Sequence, residues 1–292
     1  MTESLPSQPD APAPDVTARL RLHLGLLPSM PAVRAELLRC LTQDAPDLPT
    51  VARLVMGDQV IAAKVLRVAN SSFFGLSTQV ESVTQAVTLL GFSGLQSVAL
   101  ASMVMDAFQP PPQTAWFAHH TYWRHSIATA TCAQTLAERL RMNEATAFTA
   151  GLLHDMGCLV LLVCYPGEYR SAFDWSQTHG VSMVDAETHV LGFDHGHAGG
   201  VMAQSWRLPP VIAQSMALHH RMSDPHAGSM VQLVHVADAV AHALNLDAAS
   251  SSAVPPVHDS AWEALNIDWD NVSCLFPVIE KRYRQTCDSL LG

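Results

Sequence analysis

Residues 144–165, EATAFTAGLLHDMGCLVLLVCY, read as a helix that is apolar on nearly every side. Such a helix belongs in a protein core. Yet His154 and Asp155 stand together in its middle. A buried histidine–aspartate pair is costly unless it is paired or bound to a metal. Any fold this chain adopts must bring partners to that pair.

Candidate partners lie in the same half of the chain. Ten of the 15 histidines fall between His119 and His220. His125 sits on the helical stretch YWRHSIATATCAQTLAERL, one turn after Thr121 and one turn before Thr129. In GFDHGHAGG, Asp194 is a natural N-cap for a helix beginning at His195, which places that histidine at the helix mouth. The stretch WRLPPVIAQSMALHH ends on His219 and His220, and Asp238 is the lone acid of the apolar helix LVHVADAVAHAL. Imidazoles and carboxylates in such a set suit Fe, Mn, Co, Ni or Zn. The seven residues His125, His154, Asp155, His195, His219, His220 and Asp238 exceed what one four-coordinate zinc uses. They suffice for two ions sharing a carboxylate, with Asp155 as the natural bridge. Two ions about 3.5–4 Å apart would activate water and clamp a phosphoryl oxygen. His197, His235 and His242 fall outside this set and read as capping, core or surface groups. His119 and His120 read as solvated, and Cys158 as a packing thiol.

The remaining pattern is helical as well, and the expected fold class is all-α. Helices are expected at 32–42, 51–56, 61–70, 83–90 and 95–108 in the first half. In the second half they are expected at 116–141, 144–165, 168–180, 195–206, 209–221 and 229–245, with a last pair at 259–266 and 270–290. Period-two alternation of β-branched residues is absent apart from a few residues near Phe74–Val80. The proline run Gln109-Pro-Pro-Pro-Gln113 is the best boundary. The expected organisation is a disordered tail at 1–15, an N-terminal helical subdomain at 16–108 and a metal-site subdomain at 115–245. A linker and C-terminal helices fill 246–292.

Charged residues make up 14% of the 292, against about 25% in typical domains. Few charges imply extensive buried or interface surface, with room for a dimer. The net charge of −10 argues against a broad footprint for nucleic acid. Six cysteines without a CxxC pair fit reduced thiols in a cytoplasm. The N-terminus has no basic and apolar leader, and the apolar run Cys158–Tyr165 falls short of the roughly 18 residues of a membrane span. Neither a signal peptide nor a membrane partner is expected.

The paired HD, with a distant histidine before it and a distant aspartate after it, resembles the HD superfamily of metal-dependent phosphohydrolases. That resemblance implies that His125, His154, Asp155 and Asp238 are the four ligands of its basic site. It matches His195, His219 and His220 to the extra ligands of the bimetallic HD-GYP phosphodiesterases, which hydrolyse cyclic di-GMP. Four further stretches narrow it: LPSMP at 27–31, VLRVANSSFFG at 65–75, VTQAVTLLGFSGLQSVAL at 83–100 and WRLPPVIAQSMALHH. In order along roughly residues 20–245, they resemble the HDOD family, the HD-related output domain. The family implies an N-terminal helical subdomain packed on an HD-type helical subdomain.

The resemblance implies a bacterial signal-transduction output module that acts on a partner signalling protein and retains a divalent-metal site. The ions expected are iron or manganese, with positions for two per chain. The alternative it implies is an active phosphohydrolase on a nucleotide or cyclic dinucleotide, with Asp155 bridging the metals. Three departures weigh toward the module. Cys158 stands where many catalytic HD proteins carry a lysine, as in HDxGK, and a neutral thiol cannot stabilise phosphate charge. No GYP follows His219 and His220, and Thr121 stands where HD-GYP enzymes tend to carry a glutamate.

Overall fold

The computed structural model describes residues 16–23, 32–41, 47–70, 80–108, 114–246 and 254–291. The expected tail at 1–15, the LPSMP break, the SSFFG turn, the proline run 109–113 and part of the second linker lie outside the described residues. Among the described residues every regular element is a helix, and the fold is all-α.

The first half holds α1 (Val16–His23), α2 (Ala32–Leu41), α3 (Leu48–Met56), α4 (Gln59–Ala69) and α5 (Val83–Ala107). Short polar side chains begin α3 and α4. Asp47 accepts from the Thr50 N–H, with Pro49 in the first turn of α3. Asp58 accepts from the N–H groups of Val60 and Ile61. The α5 helix bends at Gly91, whose φ of 63° is left-handed backbone that glycine adopts without strain. Asn70 terminates α4, as its turn chemistry suggests. Its side chain also clamps Val80, donating to that carbonyl at 2.7 Å and accepting from that N–H at 2.6 Å. The start of α5 is thereby tied to the end of α4.

The second half is built on α6 (His119–Leu140), in which Tyr122, Trp123 and every residue from His125 to Ala137 are buried. Thr131 and Thr135 satisfy their hydroxyls on the carbonyls of Ile127 and Thr131. Around it run α7 (Glu144–Leu153), α8 (Met156–Cys164), α9 (Pro166–His179), α10 (Met183–Leu191), α11 (His195–Ser205), α12 (Pro210–Leu218) and α13 (Ser229–Ala243). The chain ends with α14 (Asp259–Leu265), α15 (Trp269–Ser273) and α16 (Phe276–Leu290). The α16 helix packs on α6 and reaches back to α4, α5 packs on α7, and α1 packs on α11.

Four elements differ from expectation. The single helix expected at 144–165 is two, broken at His154 and Asp155. The helix expected at 209–221 ends at Leu218, so His219 and His220 lie at and beyond its C-cap. A helix at 183–191 was not anticipated, although Ser182 caps it by accepting from the Asp185 N–H. The last expected helix divides after Ser273, because Pro277 fits only the first turn of a new one. The stretch Glu144–Cys164, taken together, is long and apolar enough to cross a membrane, unlike its longest apolar run alone. Its most apolar stretch is 89% buried among the other helices, as a core element is.

Gly157 fixes how α8 meets α11. A Cβ there would collide with the backbone carbonyl of His195 and lie 2.8 Å from the Gly199 nitrogen. Gly157→Ala should therefore destabilise the fold by about 3 kcal/mol or more in denaturant unfolding. Gly167→Ala, where a Cβ meets nothing within 4 Å, should be neutral or slightly stabilising. Equal stabilities for the two variants would contradict this packing.

Candidate metal centre

The break in the apolar helix is what frees the central pair. His154 is the C-cap of α7, and Asp155 is the N-cap of α8 without capping any N–H through its side chain. Both side chains point instead toward α6, α11, α13 and the end of α12. There the structure brings together all seven residues singled out in the sequence.

The two oxygens of Asp155 face different histidines. Oδ2 lies 3.3 Å from His154 Nε2 and 3.9 Å from His125 Nε2. Oδ1 lies 3.2 Å from His195 Nε2 and 3.3 Å from His219 Nε2. On the first side, Asp238 Oδ1 is 3.0 Å from His125 Nε2 and 3.8 Å from His154 Nε2. On the second side, His220 Nε2 is 3.1 Å from His195 Nε2. Donor atoms of Asp155, His195, His219 and His220 fall within 4.8 Å of one another, as do those of His125, His154 and Asp155.

Outer contacts fix which nitrogen of each ring is available. His154 donates its Nδ1–H to the Gly151 carbonyl at 2.7 Å. His219 donates its own to the carbonyls of Ser215 and Met216 at 3.1 and 3.2 Å. His195 Nδ1 is 2.7 Å from Glu187 Oε2, the same oxygen that accepts the His195 backbone N–H at 2.7 Å. A carbonyl or carboxylate can only accept, so Nδ1 carries the proton and Nε2 turns inward in all three rings. This is the outer arrangement that metal-ligating histidines use.

The donor set fits a cation. His154 Nε2, Asp155 Oδ1 and Asp238 Oδ1 are buried and form no aligned hydrogen bond, although their neighbours are 3.0–3.8 Å away. An unsatisfied buried polar atom costs about 1–3 kcal/mol. Donors held at about 2.0–2.2 Å from one ion are themselves about 3 Å or more apart, which is the spacing seen.

Charge is arranged to match. Burial raises the Asp155 carboxyl, but His154 and His195 outweigh it and hold the group well below the usual carboxylate range. At Asp238 burial is likewise outweighed, here by His125, and the group is ionised. Burial lowers His219 and His220, which favours their neutral, ligating form. His195 goes the other way: burial lowers it, but the Glu187 carboxylate at 2.7 Å and the Asp155 carboxylate at 3.2 Å raise it well above the ordinary value. A cation bound there would have to displace that proton. Burial pushes the Cys158 thiol up to about 11, so it is neutral, as expected for a packing cysteine.

Two residues here lay outside the sequence-derived set. Glu187, fully buried on α10, orients His195 from eight residues upstream. His242 lies one turn after Asp238, its Nε2 3.5 Å from Asp238 Oδ1. The i+4 spacing is the only sign of His242 in the sequence, and nothing marks Glu187 before α10 is placed against α11. His235 is a core group, donating to the His219 carbonyl at 2.8 Å and accepting from the His258 N–H at 3.1 Å. Asp194 caps α11 as expected, accepting from the His197 N–H at 2.8 Å. His119 is half-buried, and burial lowers its ring, so it is not the fully solvated group expected.

Glu187→Gln retains the shape of this partner and removes its charge. It should weaken divalent-metal binding 10–100-fold in equilibrium titration. Wild-type affinity in that variant would show that Glu187 does not orient a ligand.

The chain's relatives agree with this architecture. The HDOD domain model matches residues 27–222. An uncharacterized protein of Treponema pallidum (strain Nichols) is 25% identical over 206 residues, covering 69% of this chain and 38% of that protein. The chain thus spans well under half the length of that relative. An HDOD domain protein of unknown function from Geobacter sulfurreducens superposes with a TM-score of 0.77 at 24% identity. The match covers 95% of this chain and 100% of that one. A Shewanella amazonensis SB2B protein, provisionally named a phosphohydrolase, gives 0.71 at 24% identity over 92% and 98% of the two chains. A protein of Marinobacter aquaeolei VT8, provisionally named for signal transduction, gives 0.72 at 19% over 95% and 67%. At these identities the structures share the fold. With two thirds of its length matched by the family model, the chain belongs to the HDOD family.

Proposed function

We propose that this chain is a signalling output module that acts on a protein partner and carries a two-ion divalent-metal centre. The observation that carries the metal reading is the division of Asp155, whose two oxygens face separate histidine groups. Family membership and the signalling name of the Marinobacter relative support the module reading. Local chemistry supports it too. Cys158 puts a buried neutral thiol where a lysine would offer phosphate a positive charge.

In this reading His125, His154, Asp155 and Asp238 would hold one ion, and Asp155, His195, His219 and His220 would hold the other. Bound ions would supply Lewis acidity toward an anionic oxygen. Glu187 and the Gly151, Ser215 and Met216 carbonyls keep the three Nδ1 protons outward. Asp155 and Asp238 supply the negative charge that balances the ions.

A second reading, hydrolysis of a phosphate ester or cyclic dinucleotide, is favoured by the same bridging position of Asp155. The two readings part on turnover. Protein loaded with Mn²⁺ or Fe²⁺ would be assayed anaerobically on bis(p-nitrophenyl) phosphate and on cyclic di-GMP, with Asp155→Ala as the blank. The module reading expects no turnover above that variant. Turnover that disappears in Asp155→Ala would overturn it in favour of the hydrolase.

A further inference from the structure

A second group of ligating side chains gathers at the outer edge of His195. The Nε2 of that ring faces Asp155 Oδ1 and His220 Nε2, at 3.2 and 3.1 Å. Its Nδ1, across the ring, faces Glu187 Oε2 at 2.7 Å. Cys158 joins them from α8, because Gly157 lets the first turn of that helix lie against the His195 backbone. One donor atom each of Cys158, Glu187 and His195 falls within 4.8 Å of the other two. Three elements, α8, α10 and α11, thus deliver a thiol, a carboxylate and an imidazole to one place. All three side chains are buried, Glu187 completely.

Glu187 has one oxygen to spare. Its Oε2 accepts both the backbone N–H and the Nδ1–H of His195. Its Oε1 is buried and has no hydrogen-bond partner. Orienting the ring needs one oxygen only, and burying the second unpaired costs about 1–3 kcal/mol. A cation beside it would satisfy it.

We infer that Cys158, Glu187 and His195 form a separate metal position, on the Nδ1 side of His195, for a thiophilic divalent ion such as Zn²⁺. Zinc binds sulfur at about 2.3 Å and imidazole or carboxylate at about 2.0–2.2 Å, so one ion spans donors this close. A thiolate and a carboxylate cancel its two charges, as a buried ion needs. Binding takes the protons from the Cys158 thiol and from Nδ1, and the neutral ring then carries its one proton on Nε2. Thiolate favours zinc over the harder manganese, so this position answers to zinc supply and does not hold the metal of the Asp155 cluster. The position stands on its own donors. Its effect on the Asp155 cluster rests on the two-ion reading: a ring with Nδ1 on zinc and a proton on Nε2 no longer serves that cluster.

The test is an anaerobic titration of the metal-free full chain with Co²⁺, a spectroscopic stand-in for zinc. The readout is the near-ultraviolet charge-transfer absorption of a cobalt-bound thiolate. Wild type should develop that band, and added Zn²⁺ should bleach it. Cys158→Ser and Cys158→Ala should lose it, while Cys274→Ser, at the exposed cysteine, should keep it. Glu187→Gln should weaken the Co²⁺ affinity read from the band by about tenfold or more. His219→Ala removes a donor of the Asp155 cluster alone and should keep the band, which separates this position from the two-ion reading. The assignment is overturned by a wild-type chain without the band, by a band that survives both Cys158 variants, or by unchanged affinity in Glu187→Gln. Loss of the band in His219→Ala would overturn the separateness of the position.

Discussion

The structure depends on an aspartate placed at a break in its most apolar helical stretch. A continuous helix through residues 144–165 would bury Asp155 against hydrocarbon. Ending α7 at Leu153 and restarting at Met156 turns the carboxylate toward five histidines instead. The neighbouring packing serves that arrangement. Gly157 lets α8 touch the backbone of α11, which brings His195 to Asp155. The α12 helix stops at Leu218, so His219 and His220 leave the helix just where they face His195. The buried α6 and α13 contribute His125 and Asp238 from the opposite side.

Burial on this scale makes the electrostatics consequential. Ionised carboxylates and oriented Nδ1 protons form a set in which the inward Nε2 atoms of His154 and His219 and the carboxylate oxygens are acceptors. Acceptors crowded at 3.0–3.9 Å repel one another unless positive charge lies among them. The raised His195 is the same demand expressed as a proton. On the proposed reading, metal binding and the stability of the second half would be coupled, because the free energy of ligand convergence is part of the free energy of folding.

Much of this was legible in the sequence. The HD pair stands out because charge in an apolar helix demands a partner. His195 follows from the cap at Asp194, and Asp238 from being the lone acid of its helix. The less legible features depend on tertiary contact. Glu187 matters only because α10 folds back against the start of α11, and no local pattern announces that turn. His242 is set at i+4 from Asp238, a spacing equally common on a solvated face. The break at His154 hides inside an apolar run without proline, with Gly151 the one weak helix former before it, so local propensity favours one helix where the side-chain cluster selects two. The motifs at 27–31 and 71–75 lie outside the described residues, so their part in the fold is carried by the family match alone.

The central claim is that Asp155 is a bridge shared by two ions. Metal content per chain, measured by mass spectrometry on protein purified without oxygen or chelator, tests it most directly when Asp155→Ala and His195→Ala are measured alongside. The account predicts close to two ions in wild type, close to one in His195→Ala and close to none in Asp155→Ala. Wild-type protein without metal, or an Asp155→Ala variant that keeps both ions, would contradict it.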